Sequence, residues 1–232
     1  MIITILNTRR TIATALMITV AATALAAPAL AVDPTPEQSH LLLQSSDLPA
    51  SYGKPTDASF TNVQSGGVLA SACTTATFDS PATTIADQLT MTSEIVYPKG
   101  PTWSQSIDVY ASEAQAKRAF AQMRDKALRK CNGAAVSTTG DDGVTIPARR
   151  TVATAKVKDG IIIATVKSTT AGGGTPPYGD SFVRILTKQT GNAIESLRII
   201  EDGPKLPSAA VTARYEAKQD AIFTTLVSRY HD

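Results

Sequence analysis

Trp103, Gln105, Ile107 and Val109 alternate with Ser104, Ser106, Asp108 and Tyr110. A period of two sends successive side chains to opposite faces of an extended chain, so this segment reads as a half-buried strand. Ser112-Glu113-Ala114-Gln115 follows at once and has the form of a capping box, which starts a helix. Ala116, Phe120, Met123 and Ala127 then recur at i, i+4, i+7 and i+11, one face of that helix. Cys131 continues the same face, and Asn132-Gly133 supplies a stop. A strand running straight into a helix with a sticky face calls for a sheet with a helix laid on it.

The rest of the chain fits that demand. Arg150 to Lys158 and Ile161 to Ser168 flank Asp159-Gly160, a strong two-residue hairpin signal. Phe182 to Gln189 and Ala193 to Ile200 flank Thr190-Gly191-Asn192, a second hairpin. Leu89 to Tyr97 is a further strand, after a short helix at 83–88, and Tyr52 to Thr77 reads as loop. Thr35-Pro36-Glu37-Gln38 opens an early helix that carries Leu41, Leu42 and Leu43. Pro207-Ser208 opens a last helix to about Arg229, with Val211, Tyr215, Ile222 and Leu226 as its buried stripe. Consecutive hairpins make the expected class α+β: a twisted antiparallel sheet with helices packed on it and one disulfide.

Residues 1–31 read as a secretory signal peptide. Arg9 and Arg10 form the basic start, Ile12 to Ala27 is an apolar stretch, and Ala29-Leu30-Ala31 offers the small residues a signal peptidase accepts. The expected cut lies between Ala31 and Val32, which leaves residues 32–232 as a single domain. An uncleaved anchor is the alternative reading. The Arg pair also hints at twin-Arg export. Removing Arg9 and Arg10 leaves 20 Lys and Arg against 20 Asp and Glu. A mature chain near neutrality gives no field for nucleic acid and no polybasic patch for an anionic membrane. No later apolar run is long enough to span a bilayer.

Both cysteines, Cys73 and Cys131, lie in that mature segment. In an exported chain an even count reads as a disulfide, with two buried thiols as the other reading. No C-x-x-C spacing marks a reactive pair.

Catalytic constellations are scarce. The two histidines are His40, near the first helix, and His231, beside the end of the sequence. No G-x-S-x-G elbow is present. Asp141-Asp142 sits between Gly140 and Gly143 without the alternating calcium-loop pattern. Gly172-Gly173-Gly174 lacks the Gly-Lys-Ser/Thr of a phosphate loop and reads as a flexible tip. Pro176-Pro177-Tyr178 reads as a turn, with Tyr178 at the lip of a cleft as the sharper alternative. Trp103, the only tryptophan, is either core or a platform for a sugar or lipid headgroup. No metal set and no cofactor motif emerges.

Taken together, Leu41-Leu42-Leu43, Asp47-Leu48-Pro49, the early Cys73, the Trp103–Tyr110 strand and the helix ending in Lys130-Cys131-Asn132-Gly133 form a pattern. It resembles the actinobacterial extracellular sensor-type domain found outside certain receptor serine/threonine kinases and in related secreted proteins and lipoproteins. The resemblance implies an α+β domain with a ligand cleft, and binding rather than catalysis. This chain departs in having one cysteine pair where some relatives have two, and no kinase domain. The expectation is a secreted cell-envelope module holding a small molecule, lipid or wall fragment. An accessory protein that binds another envelope protein is the alternative, with a hydrolase of unrecognised site behind it.

Overall fold

In the computed structural model, which describes residues 36–63, 89–98, 100–139, 145–171, 179–203 and 208–230, eight strands form one antiparallel sheet. In chain order the elements are α1 (Pro36–Ser39), β1 (Asp57–Val63), β2 (Leu89–Val96), β3 (Thr102–Val109), α2 (Glu113–Lys130), β4 (Gly133–Thr139), β5 (Thr145–Lys158), β6 (Ile161–Thr170), β7 (Asp180–Thr190), β8 (Ala193–Gly203) and α3 (Ala209–Arg229). The sheet order is β1-β2-β3-β8-β7-β6-β5-β4. Two meanders, β1–β2–β3 and β4 through β8, therefore join edge to edge where β3 meets β8.

The turns follow the local chemistry. Asp159 and Gly160 both take positive φ, 51° and 73°, which a tight hairpin with a right-handed twist requires. Ser112 caps α2, its Oγ accepting from the Gln115 N–H at 3.3 Å. The far end of α2 stops at Asn132-Gly133 as expected, through the asparagine. Gly133 does not take a left-handed turn but begins β4. The stop is made by Asn132, whose Nδ2 donates to Leu128 O at 2.9 Å while its Oδ1 accepts from Ala155 N–H at 2.9 Å. One side chain thus closes the helix and fastens it to β5.

The two long helices lie on opposite faces. Trp103, Leu186, Leu197 and Ile199 meet Phe223, Leu226 and Val227 of α3 in the larger core. Ile162 and Ile194 point the other way, toward Ala116, Ala119, Met123 and Ala127 of α2. A strand exposes both faces, and here each face is covered by a different amphipathic helix.

Three expectations need correction. The early helix is a single turn. Leu43 leaves it because its N–H finds Gln105 Oε1 on β3 at 2.6 Å, and Leu42 and Leu43 bury completely. The segment expected as loop after Tyr52 contains β1, paired to β2 from Asp57↔Val96 to Val63↔Thr90. The stripe of α3 is also rotated: Thr212, Gln219, Phe223, Leu226 and Val227 are buried, while Tyr215 and Ile222 are only partly buried.

Gln219 explains that rotation. Its Nε2 donates to the backbone carbonyls of Arg184 and Leu197, both at 3.0 Å. Its Oε1 accepts from Arg184 at 2.7 Å. One fully buried amide therefore ties α3 to β7 and β8. Gln219→Leu keeps the volume but leaves these groups without their partner, and should cost about 2 kcal/mol in urea unfolding. An unchanged midpoint would contradict the tie.

Candidate functional site

α3 covers only the middle of its face of the sheet. Beyond it, β5 and β6 continue as an open wing. Register places three rows of side chains there. Lys156, Ile163 and Leu186 share one row, Thr154, Thr165 and Arg184 the next, and Val152, Lys167 and Phe182 the third. The middle row runs on through Ile199 to Trp103, so the open wing and the core are one continuous surface.

Between this wing and α3 lies a cavity of about 340 Å³, lined by Thr154, Thr165, Lys156, Lys167, Arg184 and Glu216. Val152 and Ile163 add an apolar floor. Its polar groups differ in how firmly they are held. Arg184 is only 5% exposed. Its guanidinium donates to Gln219 Oε1, to Glu216 O at 3.4 Å and to Asp220 Oδ1 at 2.8 Å. Lys167 reaches back over the Phe182 ring, with Nζ 5.6 Å from the centroid, a cation–π contact. Lys156 and Thr154 are exposed.

A second, smaller cavity of about 170 Å³ lies against α3, lined by Asp47, Ile222, Leu226 and Arg229 among others. There Arg229 and Asp47 form a two-point ion pair, with one contact at 3.0 Å. Asp47 also accepts from the Gln44 N–H at 2.8 Å. The pair pins the turn after α1 to the end of α3, which gives the arginine a structural duty.

Among the described residues Glu195 is the most perturbed carboxylate. It is fully buried on the α3 face, and neither oxygen has a hydrogen-bond partner. Burial raises its pKa from 4.5 to about 7, with a smaller opposing pull from Lys188. It lines neither of the two cavities. Burial also pushes the Tyr52 phenol up to about 12. Tyr52 packs on Tyr97 and Trp103 with ring centroids 5.2 and 6.4 Å away.

The residues singled out in the sequence mostly lie elsewhere. Trp103 is fully buried, so it is core and not a stacking platform. His40 is exposed. Cys131 is fully buried at the end of α2. Cys73, Ala31, Val32, His231, Asp141, Asp142, Gly172-Gly173-Gly174 and Pro176-Pro177-Tyr178 lie outside the described residues. Among the described residues no three His, Cys, Asp or Glu gather to hold a metal. None of the described helices is long and apolar enough to cross a membrane.

Sequence reasoning missed Lys156, Lys167 and Arg184. Their alternation was visible: Ala153 and Ala155 face one way on β5, Val152, Thr154 and Lys156 the other. Which of the two faces stays open depends on where α3 lands, and that is not a local property.

No family model matches the chain, and no curated protein matches it. Among solved structures it is similar to the extracellular domain of PknH from Mycobacterium tuberculosis, with a TM-score of 0.54 and 15% sequence identity. The match covers 85% of this chain and 97% of that one. At this identity the likeness is one of fold.

Proposed function

We propose that this protein is a non-catalytic extracellular binding module that holds its ligand in the cleft between α3 and the β5–β6 wing. The observation that carries the reading is the cleft itself. It is concave and of a size for a small molecule, and it combines an apolar floor with several polar groups, of which Arg184 is firmly held. The fold it shares with the PknH extracellular domain supports the same reading. Catalysis would need titratable groups converging where substrate can reach them. Glu195, the carboxylate with the most raised pKa among the described residues, is sealed inside the core.

Export belongs to this proposal. The chain would be cut after Ala31, start at Val32 and carry a Cys73–Cys131 bond clamping the end of α2. Intact mass of the exported protein should show that start and a loss of two hydrogens. A mass that includes residues 1–31, or two alkylatable thiols in the unfolded oxidised protein, would refute these points.

Native mass spectrometry of protein purified gently from its own source tests the cleft. The expected spectrum contains a non-covalent adduct, absent from Thr165→Trp, where the indole fills the cavity. An adduct that survives this variant would place the ligand elsewhere, and a bare wild type would count against a bound small molecule.

Docking of another envelope protein is the second reading. It is favoured by β4, an edge strand without a charged residue whose Val136 is 67% exposed. Such an edge can accept an added strand.

A further inference from the structure

Resting on the cleft reading, we propose that the ligand carries a phosphate group on a hydroxyl-bearing scaffold, a polyol or sugar phosphate. The arrangement of charge around the Thr154–Thr165 pair favours this class. These two threonines face each other across β5 and β6. Lys156 lies one row to one side, Lys167 one row to the other, and Arg184 extends the threonine row on β7. Lysines thus flank the hydroxyl pair on two sides, and on a third stands Arg184 with its ion-pair partner Asp220. A carboxylate has two oxygens in one plane and is served well by one arginine fork. Two lysines, two hydroxyls and a guanidinium edge around one cavity suit a tetrahedral anion, whose oxygens take donors from several directions at once. The two lysines are well suited to this, since an ammonium acts as a point charge without a demanded plane.

The acidic groups sharpen the class. Asp220 is already engaged by Arg184 at 2.8 Å. Glu216 lines the cleft from the α3 side. A second anion on the ligand would be repelled there, whereas a ligand hydroxyl would find an acceptor. Phosphate at the lysines and hydroxyls at Glu216 therefore describe one ligand. Arg184 contributes fixed N–H donors: it is buried and held by Gln219 and Asp220, so it needs little ordering when an anion arrives, while the charge it carries is balanced by Asp220 and the lysines supply the net attraction.

The test is a backbone amide NMR titration of the full protein with glycerol 3-phosphate, run beside glycerol and N-acetylglucosamine. Glycerol 3-phosphate should shift Thr154, Thr165 and Arg184, with weaker binding as salt rises. Lys156→Gln with Lys167→Gln should weaken it by about tenfold. Both lysines are exposed, and unchanged shifts across β2, β3 and β8 would verify that the double variant is folded. No shift with glycerol 3-phosphate, or binding unaltered in the double variant, would overturn the proposal. Should N-acetylglucosamine alone move the same amides, the phosphate assignment falls while the cleft stands. Vesicles of phosphatidylglycerol and of phosphatidylcholine separate the sources. Retention by the first and not the second supports a lipid headgroup, and retention by neither, with glycerol 3-phosphate still bound, supports a soluble phosphoester.

Discussion

Trp103→Ala lowers the unfolding free energy by about 4 kcal/mol. The indole is fully buried at the centre of the core shared by β2, β3, β7, β8 and α3. It also stacks at an angle on Tyr52, which links the turn after α1 to the sheet. Removing it leaves a cavity whose walls are strands fixed on both sides, so little collapse is available to fill the space. Equilibrium denaturation measures the effect. A loss below about 1 kcal/mol would mean that Trp103 is not enclosed as described.

Glu195→Gln raises stability at pH 8 by about 3 kcal/mol and leaves it unchanged near pH 4. The size follows from a pKa of about 7 in the fold against an ordinary 4.5. Below 4.5 the side chain is protonated whether the chain is folded or not. Between the two values the folded protein holds a proton that the unfolded chain has released. Above 7 both are ionised, and the fold bears the full cost of a carboxylate shut away from water. The stability that Glu195 contributes is therefore fully present below pH 4.5 and is lost as pH rises through 7. Glu201 and Asp202 are also raised by burial, and their contribution has the same sign. The glutamine variant should flatten only the part due to Glu195. Denaturant midpoints at a series of pH values supply the readout, and parallel curves for wild type and variant would contradict the burial of an ionisable Glu195.

The legible part of this fold was its periodicity. The Trp103 strand, the α2 stripe and both hairpins follow from spacing and turn residues. β1 was not legible, since Asp57-Ala58-Ser59-Phe60-Thr61-Asn62-Val63 contains three residues common in turns and has only a loose alternation. It is a strand because the edge of β2 offers it partners. The α3 stripe was misplaced because a glutamine normally belongs on the wet side of a helix. Gln219 is buried for the two carbonyls it satisfies, and nothing near it in sequence announces them. The first helix was overextended for a related reason: three leucines look like a helix face, yet Leu43 bonds to a side chain on β3.

The candidate site was less legible than the fold. Its residues come from β5, β6, β7 and α3, and none belongs to a motif. Arg184 carried the one available signal. It lies in an otherwise apolar strand segment, Phe182-Val183-Arg184-Ile185-Leu186, and a charge in such a place needs a partner from elsewhere. The partner is α3, and the space between α3 and the β5–β6 wing is the cleft.

The measurement that bears most directly on the cleft is a chemical-shift map of the ligand-stripped protein, taken before and after exposure to a small-molecule extract of its own cell envelope. Changes centred on Thr154, Thr165, Lys167 and Arg184, fading across the sheet toward β1, are expected. Changes confined to the β4 edge, or none in the β5–β6 wing, would contradict it.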